Sequence, residues 1–136
     1  MKGVYNIPGR SQQFLRSSTV VFVREAEQDY EILFLERNEN LLFGGWYAFP
    51  GGNLEVGDRY ERWETAMPEF IQTKGVHYTD FNQRISAIRE SFEEVNFLLA
   101  DKNEVRGEEL REKIYLQEYK SDFCAFCKGC DVSPAL

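Results

Sequence analysis

The sequence predicts an α/β fold of the α+β kind, strands first and helices after, and three observations carry that prediction. Two runs rich in β-branched and aromatic residues, "SSTVVFVRE" and "YEILFLERN", are joined by the polar "EAEQD". A stretch punctuated by Gly and Pro, "LLFGGWYAFPGGNLEVGD", follows them. Apolar residues then recur at three- and four-residue steps from Phe81 to Leu99.

Taken in order, the segment up to Gln13 carries Gly3, Pro8 and Gly9 and reads as an irregular arm. The two β-rich runs read as a hairpin. Gly44, Gly45, Pro50, Gly51 and Gly52 interrupt regular structure, and Trp46, Tyr47 and Phe49 between them suggest a short buried strand or an ordered loop. Residues 59–82, "RYERWETAMPEFIQTKGVHYTDFN", read as an insertion with a local core, helical before Pro68 and without clear periodicity after it. Ile85, Ile88, Phe92, Val95 and Leu99 then form one apolar helical stripe. At about 100° per residue, Glu90 and Glu94 fall almost opposite that stripe, with Glu93 and Arg89 at its flank. Asn96 stands where a helix can end in a left-handed residue. A last helical stretch, "EELREKIYLQEYKSDFCAFCK", would bury Leu110, Ile114, Tyr119 and Phe123.

A chain of 136 residues suits one domain, spanning 1–136. Its net charge of −7 makes it a poor nucleic-acid binder, because non-specific binding needs a Lys/Arg surface. A polyanionic small substrate stays open, provided a cation mediates. No apolar run is long enough to span a membrane, and "MKGVYNIPGR" has neither the apolar core of a signal peptide nor an Arg-rich transit pattern. The expectation is a soluble intracellular protein. Cys124, Cys127 and Cys130 are an odd number confined to one segment, which argues against a secreted disulfide scaffold.

"RESFEEVNF" raises the functional question. Like charges four apart on a helix repel, so Glu90 and Glu94, with Glu93 beside them, are either a solvated face or a cation site. Two features favour the cation. The carboxylates project from a rigid amphipathic support, and Mg²⁺ takes a few carboxylates together with waters and substrate phosphates. The upstream Gly-Gly turn could add a backbone carbonyl, with Gly51 the candidate.

"GGNLEVGD" followed by "RESFEEVNF" resembles the Nudix box. Gly52 matches its first glycine, and Asp58 stands at the position of its first glutamate. Arg89, Glu90, Glu93 and Glu94 match its Arg-Glu and Glu-Glu pairs, and Phe97 matches its last apolar position. Thirty residues rather than seven separate the halves, Ser91 replaces an apolar residue, and Asn96 replaces Gly. The "AFPGG" turn, the Trp-containing insertion and "AIRESFEE" together are similar to the coenzyme A diphosphohydrolase-like branch of the family, found in mitochondria and peroxisomes. The resemblance covers most of the chain.

The resemblance implies an α/β/α sandwich with a mixed sheet, whose C-terminal strands and helix would lie beyond this chain. It implies a hydrolase that cleaves the pyrophosphate of a nucleotide conjugate with Mg²⁺ or Mn²⁺. Coenzyme A or an acyl-CoA would give 3′,5′-ADP and a 4′-phosphopantetheine. Glu94 is the first expected metal ligand, with Glu90, Glu93 and the Gly51 carbonyl next. Glu90 or Glu93 is the expected base, and Arg89 the group that holds a carboxylate in place. Gly52 and Asp58 are expected to support the loop. The competing expectations are a Nudix-like binding or interaction module without turnover, and a Nudix hydrolase acting on another nucleotide conjugate such as a nucleotide sugar or a dinucleotide polyphosphate.

Other features carry plainer readings. "CAFCKGC" lacks the fourth ligand of a structural zinc site, so helix cysteines are the expectation. His77 reads as a loop histidine. Trp46 and Trp63 could stack a base, though packing is the default for both.

Overall fold

The computed structural model describes residues 16–40, 44–75, 78–101 and 122–136. The expected N-terminal arm, His77, and Leu110, Ile114 and Tyr119 of the last helical stretch lie outside these residues.

The described residues form an α+β arrangement of short antiparallel strand pairs and helices. The expected hairpin is present. Strand β2 (Val23–Glu25) pairs with β3 (Tyr30–Ile32), with Val23 opposite Ile32 and Arg24 opposite Glu31. Those two charges form an exposed ion pair, the cross-strand contact that opposite charges make on one face of a ladder. Strand β1 (Ser17–Thr19) pairs with β6 (Gly51–Asn53), and β4 (Leu35–Glu36) with β5 (Tyr47–Ala48). Single backbone bonds extend two of these ladders by one pair each: the Val20 N–H donates to the Pro50 carbonyl beside β1–β6, and the Leu33 N–H to the Phe22 carbonyl beside β2–β3. Trp46 and Tyr47 are 67% and 70% exposed, so the stretch around β5 is a strand but not a buried one.

A 3₁₀ turn (Val56–Asp58) leads into α1 (Tyr60–Ala66) and α2 (Pro68–Lys74). The insertion is therefore helical on both sides of Pro68. Proline opens α2 at its first position, where no intrahelical N–H is needed, and Gly75 closes it at φ 57°. Nor does the insertion keep a core to itself. Trp63 and Phe70 join the common core, where Trp63 meets Phe81 and Phe123 at ring-centroid distances of 5.9 and 6.1 Å. The Trp63 indole N–H donates to the Gly57 carbonyl at 2.8 Å, which satisfies its only polar atom.

The long helix α3 (Tyr78–Val95) buries Phe81, Ile85, Ile88 and Phe92 in that core. It stops earlier than the stripe suggests. Asn96 takes φ 58°, and the Phe97 N–H turns back to the Ser91 carbonyl. Leu98 then enters the core from outside the helix, while Val95 stays half-buried away from it. Helix α4 (Phe123–Gly129) adds Phe123, Cys124, Phe126 and Cys127, and its first turn is capped by the Asp122 carboxylate, which accepts from the Ala125 N–H. The core is thus packed by helices and aromatic rings. The opposite side of α3 lies on β1 and β6, and that contact builds the site.

Candidate functional site

The carboxylate-bearing face of α3 is folded against a strand. Helix α3 must present Ile85, Ile88 and Phe92 to the other helices, so Ser86, Arg89, Glu90 and Glu93 turn to β1, β6 and the 3₁₀ turn. Ser18 on β1 donates from its Oγ to Ser86 Oγ at 2.8 Å. Glu90 is only 9% exposed, because its carboxylate lies on the backbone of Gly52: a Cβ there would stand 2.2 Å from Glu90 Oε1. The Gly-Gly run is therefore needed for close approach of a side chain.

Arg89 is the organising group, and it is 1% exposed. Its Nε and Nη2 donate to the two oxygens of Asp58, at 2.9 and 3.0 Å. Nη1 donates to Glu90 Oε1 at 2.9 Å and to Glu93 Oε2 at 3.2 Å, and Nη2 also donates to the Asn53 carbonyl at 2.9 Å. Glu55 lies 3.8 Å from Nη1. Asp58 in turn accepts from the Glu55 N–H at 2.8 Å, which closes the 3₁₀ turn on itself. Glu94, one residue on and exposed, accepts from the Gly51 N–H at 2.9 Å. What joins Gly51 to the cluster in this arrangement is its N–H.

The electrostatics are lopsided. Burial is the largest influence on Arg89 and favours its neutral form, but Asp58, Glu93 and Glu90 outweigh it and hold the guanidinium more firmly charged than usual. Glu90 shifts the other way. Burial raises its pKa above the ordinary carboxyl value, Arg89 offsets this only in part, and Glu93 and Glu94 add to it by repulsion. One guanidinium is shared by Glu55, Asp58, Glu90 and Glu93, with Glu94 alongside.

The structure brings together Gly51, Gly52, Asp58, Arg89, Glu90, Glu93 and Glu94 from positions up to 43 residues apart. Sequence reasoning missed Asn53, Glu55 and Ser86, which join through a carbonyl, a carboxylate near Arg89 and a hydroxyl. Glu55 lies three residues before Asp58, a capping-box spacing that was there to be read.

Oxygen donors of this hard, anionic kind suit Mg²⁺ or Mn²⁺. Among the described residues, no three Asp, Glu, His or Cys side chains converge as a ready-made cage. Mg²⁺ does not require one, since it is commonly held by one or two carboxylates plus substrate phosphates and water. Cys124 and Cys127 are buried in the helical core, and none of the three cysteines forms a disulfide. Trp63 is core, whereas Trp46 is open to solvent.

No family model, curated protein or solved structure matches the chain. Among the described residues, no helix is long and apolar enough to cross a membrane.

Proposed function

We propose that this face of α3 carries a Nudix-type hydrolase site that cleaves the pyrophosphate bond of a nucleotide conjugate, with coenzyme A or an acyl-CoA as the leading substrate. The observation that supports it most is the charge imbalance. Several carboxylates on a rigid helix share one guanidinium, and the excess charge favours a divalent cation. On this reading the strands and helices belong to an α/β/α sandwich of the Nudix kind. A mitochondrial or peroxisomal setting belongs to the same resemblance.

Glu94, the exposed member, is the first ligand, with Glu90 or Glu93 beside it and the Gly51 carbonyl as a backbone donor. A bound cation would neutralise the substrate's phosphates and the charge that develops on them during transfer. The chain's own groups do the rest. Water adds to phosphorus while the bridging P–O bond breaks, and the proton lost from water passes to the Glu93 or Glu90 carboxylate. Arg89 does not touch substrate. It fixes Glu90 and Glu93 against the strand, and Asp58 fixes Arg89.

The test is hydrolysis of coenzyme A by the purified chain with Mg²⁺ or Mn²⁺, followed as 3′,5′-ADP and 4′-phosphopantetheine. Glu94→Gln should abolish it. Hydrolysis untouched by that change overturns the site. A nucleotide sugar and a dinucleotide polyphosphate in parallel decide the substrate.

A second reading is a nucleotide-binding module without turnover. It is favoured by one observation: Arg89 already engages both Glu90 and Glu93. Binding of coenzyme A without product would support it.

A further inference from the structure

A guanidinium has five N–H donors, and every one on Arg89 has an acceptor. Nε and Nη2 serve Asp58 and the Asn53 carbonyl, and Nη1 divides its two hydrogens between Glu90 and Glu93. The two bonds of Nη1 are unequal, at 2.9 Å to Glu90 and 3.2 Å to Glu93. A third carboxylate stands beside the same nitrogen. Glu55 Oε1 lies 3.8 Å from Nη1, close enough for an ion pair and too far for a hydrogen bond. Nη1 therefore has two hydrogens and three carboxylates around it. Glu55 comes from the opposite side to Glu93. Its backbone belongs to the 3₁₀ turn, where its N–H donates to Asp58 at 2.8 Å, so its main chain is tied to the carboxylate that holds Arg89. Its side chain, 37% exposed, is the most open of the four acidic side chains around Arg89, and it can shift with the least loss of packing.

We propose that Glu55 is a positioning residue that takes over Arg89 Nη1 when Glu93 leaves it. Two positive charges on one carboxylate oxygen repel, so Glu93 serves a cation best once its Oε2 has turned from Nη1. Arg89 stays buried when that happens, and a buried N–H without an acceptor is costly. Glu55 needs to come only about 1 Å closer to replace the lost bond. The exchange lets Glu93 move while Arg89 keeps its hold on Asp58 and Glu90. The proposal rests on the cation reading above for why Glu93 leaves, but the exchange itself belongs to the chain and is open to test without metal. On this view the bond between Arg89 and Glu93 describes the metal-free chain, and it does not count against turnover.

Denaturant unfolding in the presence of chelator tests the exchange. Glu55→Ala and Glu93→Ala should each move the midpoint little, because the remaining carboxylate keeps Nη1 satisfied. The two together should move it by more than the sum of the single shifts. Additive shifts overturn the proposal. Relief of repulsion between Glu55 and Glu93 would also give a non-additive result, so Glu55→Gln separates the two causes: it loses the charge and keeps an oxygen acceptor. Glu55→Gln with Glu93→Ala should unfold close to Glu93→Ala alone. A midpoint equal to that of the double alanine variant overturns the proposal. A crystal structure of Glu93→Ala should show Glu55 within about 3.2 Å of Nη1; a Glu55 left at its present distance is contrary. The second arm reads Mn²⁺ affinity from the EPR signal of the free ion. Glu55→Ala should weaken binding by about tenfold, the lower end of what an outer-shell partner is worth, and Glu55→Gln should recover most of it. Mn²⁺ bound equally well by wild type and Glu55→Ala overturns the proposal. Non-additive unfolding in a chain that binds no Mn²⁺ overturns the cation reading and leaves the exchange standing.

Discussion

Arg89 holds Asp58 by both carboxylate oxygens, at 2.9 and 3.0 Å, with each side chain 1% exposed. A two-point bond of this geometry fixes orientation as well as distance. Arg89 keeps Glu90 and Glu93 as partners if Asp58 is removed, whereas Asp58 is left buried and uncompensated if Arg89 is removed. Arg89→Met should therefore cost roughly 3–5 kcal/mol in denaturant unfolding, and Asp58→Ala less. The double variant Asp58→Ala with Arg89→Met should recover part of that loss, because it removes the stranded Asp58 charge. Equal destabilisation by Arg89→Met and the double variant would show that packing, not pairing, governs the position.

Gly51 and Gly52 should respond differently to alanine. At Gly51 a Cβ would stand 2.3 Å from the Ser18 carbonyl oxygen, which is backbone of the paired strand. At Gly52 it meets the Glu90 carboxylate, the end of a side chain that can move if Arg89 lets go. Gly51→Ala should disrupt the β1–β6 pairing and lower the melting temperature sharply. Gly52→Ala should leave a folded protein with a displaced Glu90 and at least tenfold less hydrolysis. Thermal unfolding and a hydrolysis assay on the two variants check this.

A cation that binds the folded state alone raises its stability by mass action, by about 2.7 kcal/mol at a hundredfold excess over Kd. Mn²⁺ titration should therefore raise the melting temperature of the wild type. Glu94→Gln should blunt that rise, and chelation should reverse it. An unchanged melting temperature across the titration would argue that no divalent cation binds.

The thiols should titrate unequally. Burial pushes Cys124 from its ordinary 9.0 up to about 11, and pushes Cys127 well above its ordinary value. Both are therefore favoured as neutral thiols in the fold. Their contribution to stability is complete below the ordinary thiol pKa and is lost as pH rises through the folded value, which for Cys124 is about 11. Alkylation of the native protein at pH 8 should modify Cys130, which is half-buried, well before Cys124 or Cys127, as peptide mapping would read.

The two tryptophans report the fold. Trp46 is 67% exposed and Trp63 fully buried. Acrylamide should quench one emission component and spare the other, and Trp46→Phe should remove the quenchable one. Trp63→Ala should cost roughly 3–5 kcal/mol, the range for emptying an aromatic core site.

Much of this was written in local pattern. The hairpin followed from β-branched runs around a polar turn, and Asn96 followed from its tolerance of a left-handed backbone. The periodicity of Ile85, Ile88 and Phe92 named the core side of α3. The same periodicity placed Glu90 away from the apolar stripe, but a helical wheel does not say whether a strand covers that side. It failed for Val95, whose step fits the stripe although the helix ends there and the side chain lies beside the β2–β3 hairpin. Trp63 and Phe70 were legible as apolar, but nothing local told that the insertion's helices would share the core of α3 and α4. Pairing between Asp58 and Arg89 could be suspected from charge alone, whereas Asn53 enters through a carbonyl that every residue possesses.

The interruption between Asp58 and Arg89 has a consequence for how such a chain can change. Thirty residues pass between them, yet the two side chains meet at 2.9 Å. The segment is moored by Trp63 and Phe70, and by Phe81, Ile85 and Ile88 of α3, not stretched between the two ends of the site. Its surface residues are therefore open to rewriting, by drift or by design, without moving the carboxylates. The constraint rests on these buried side chains, so the exposed positions of the stretch that most disrupts the linear motif can vary freely.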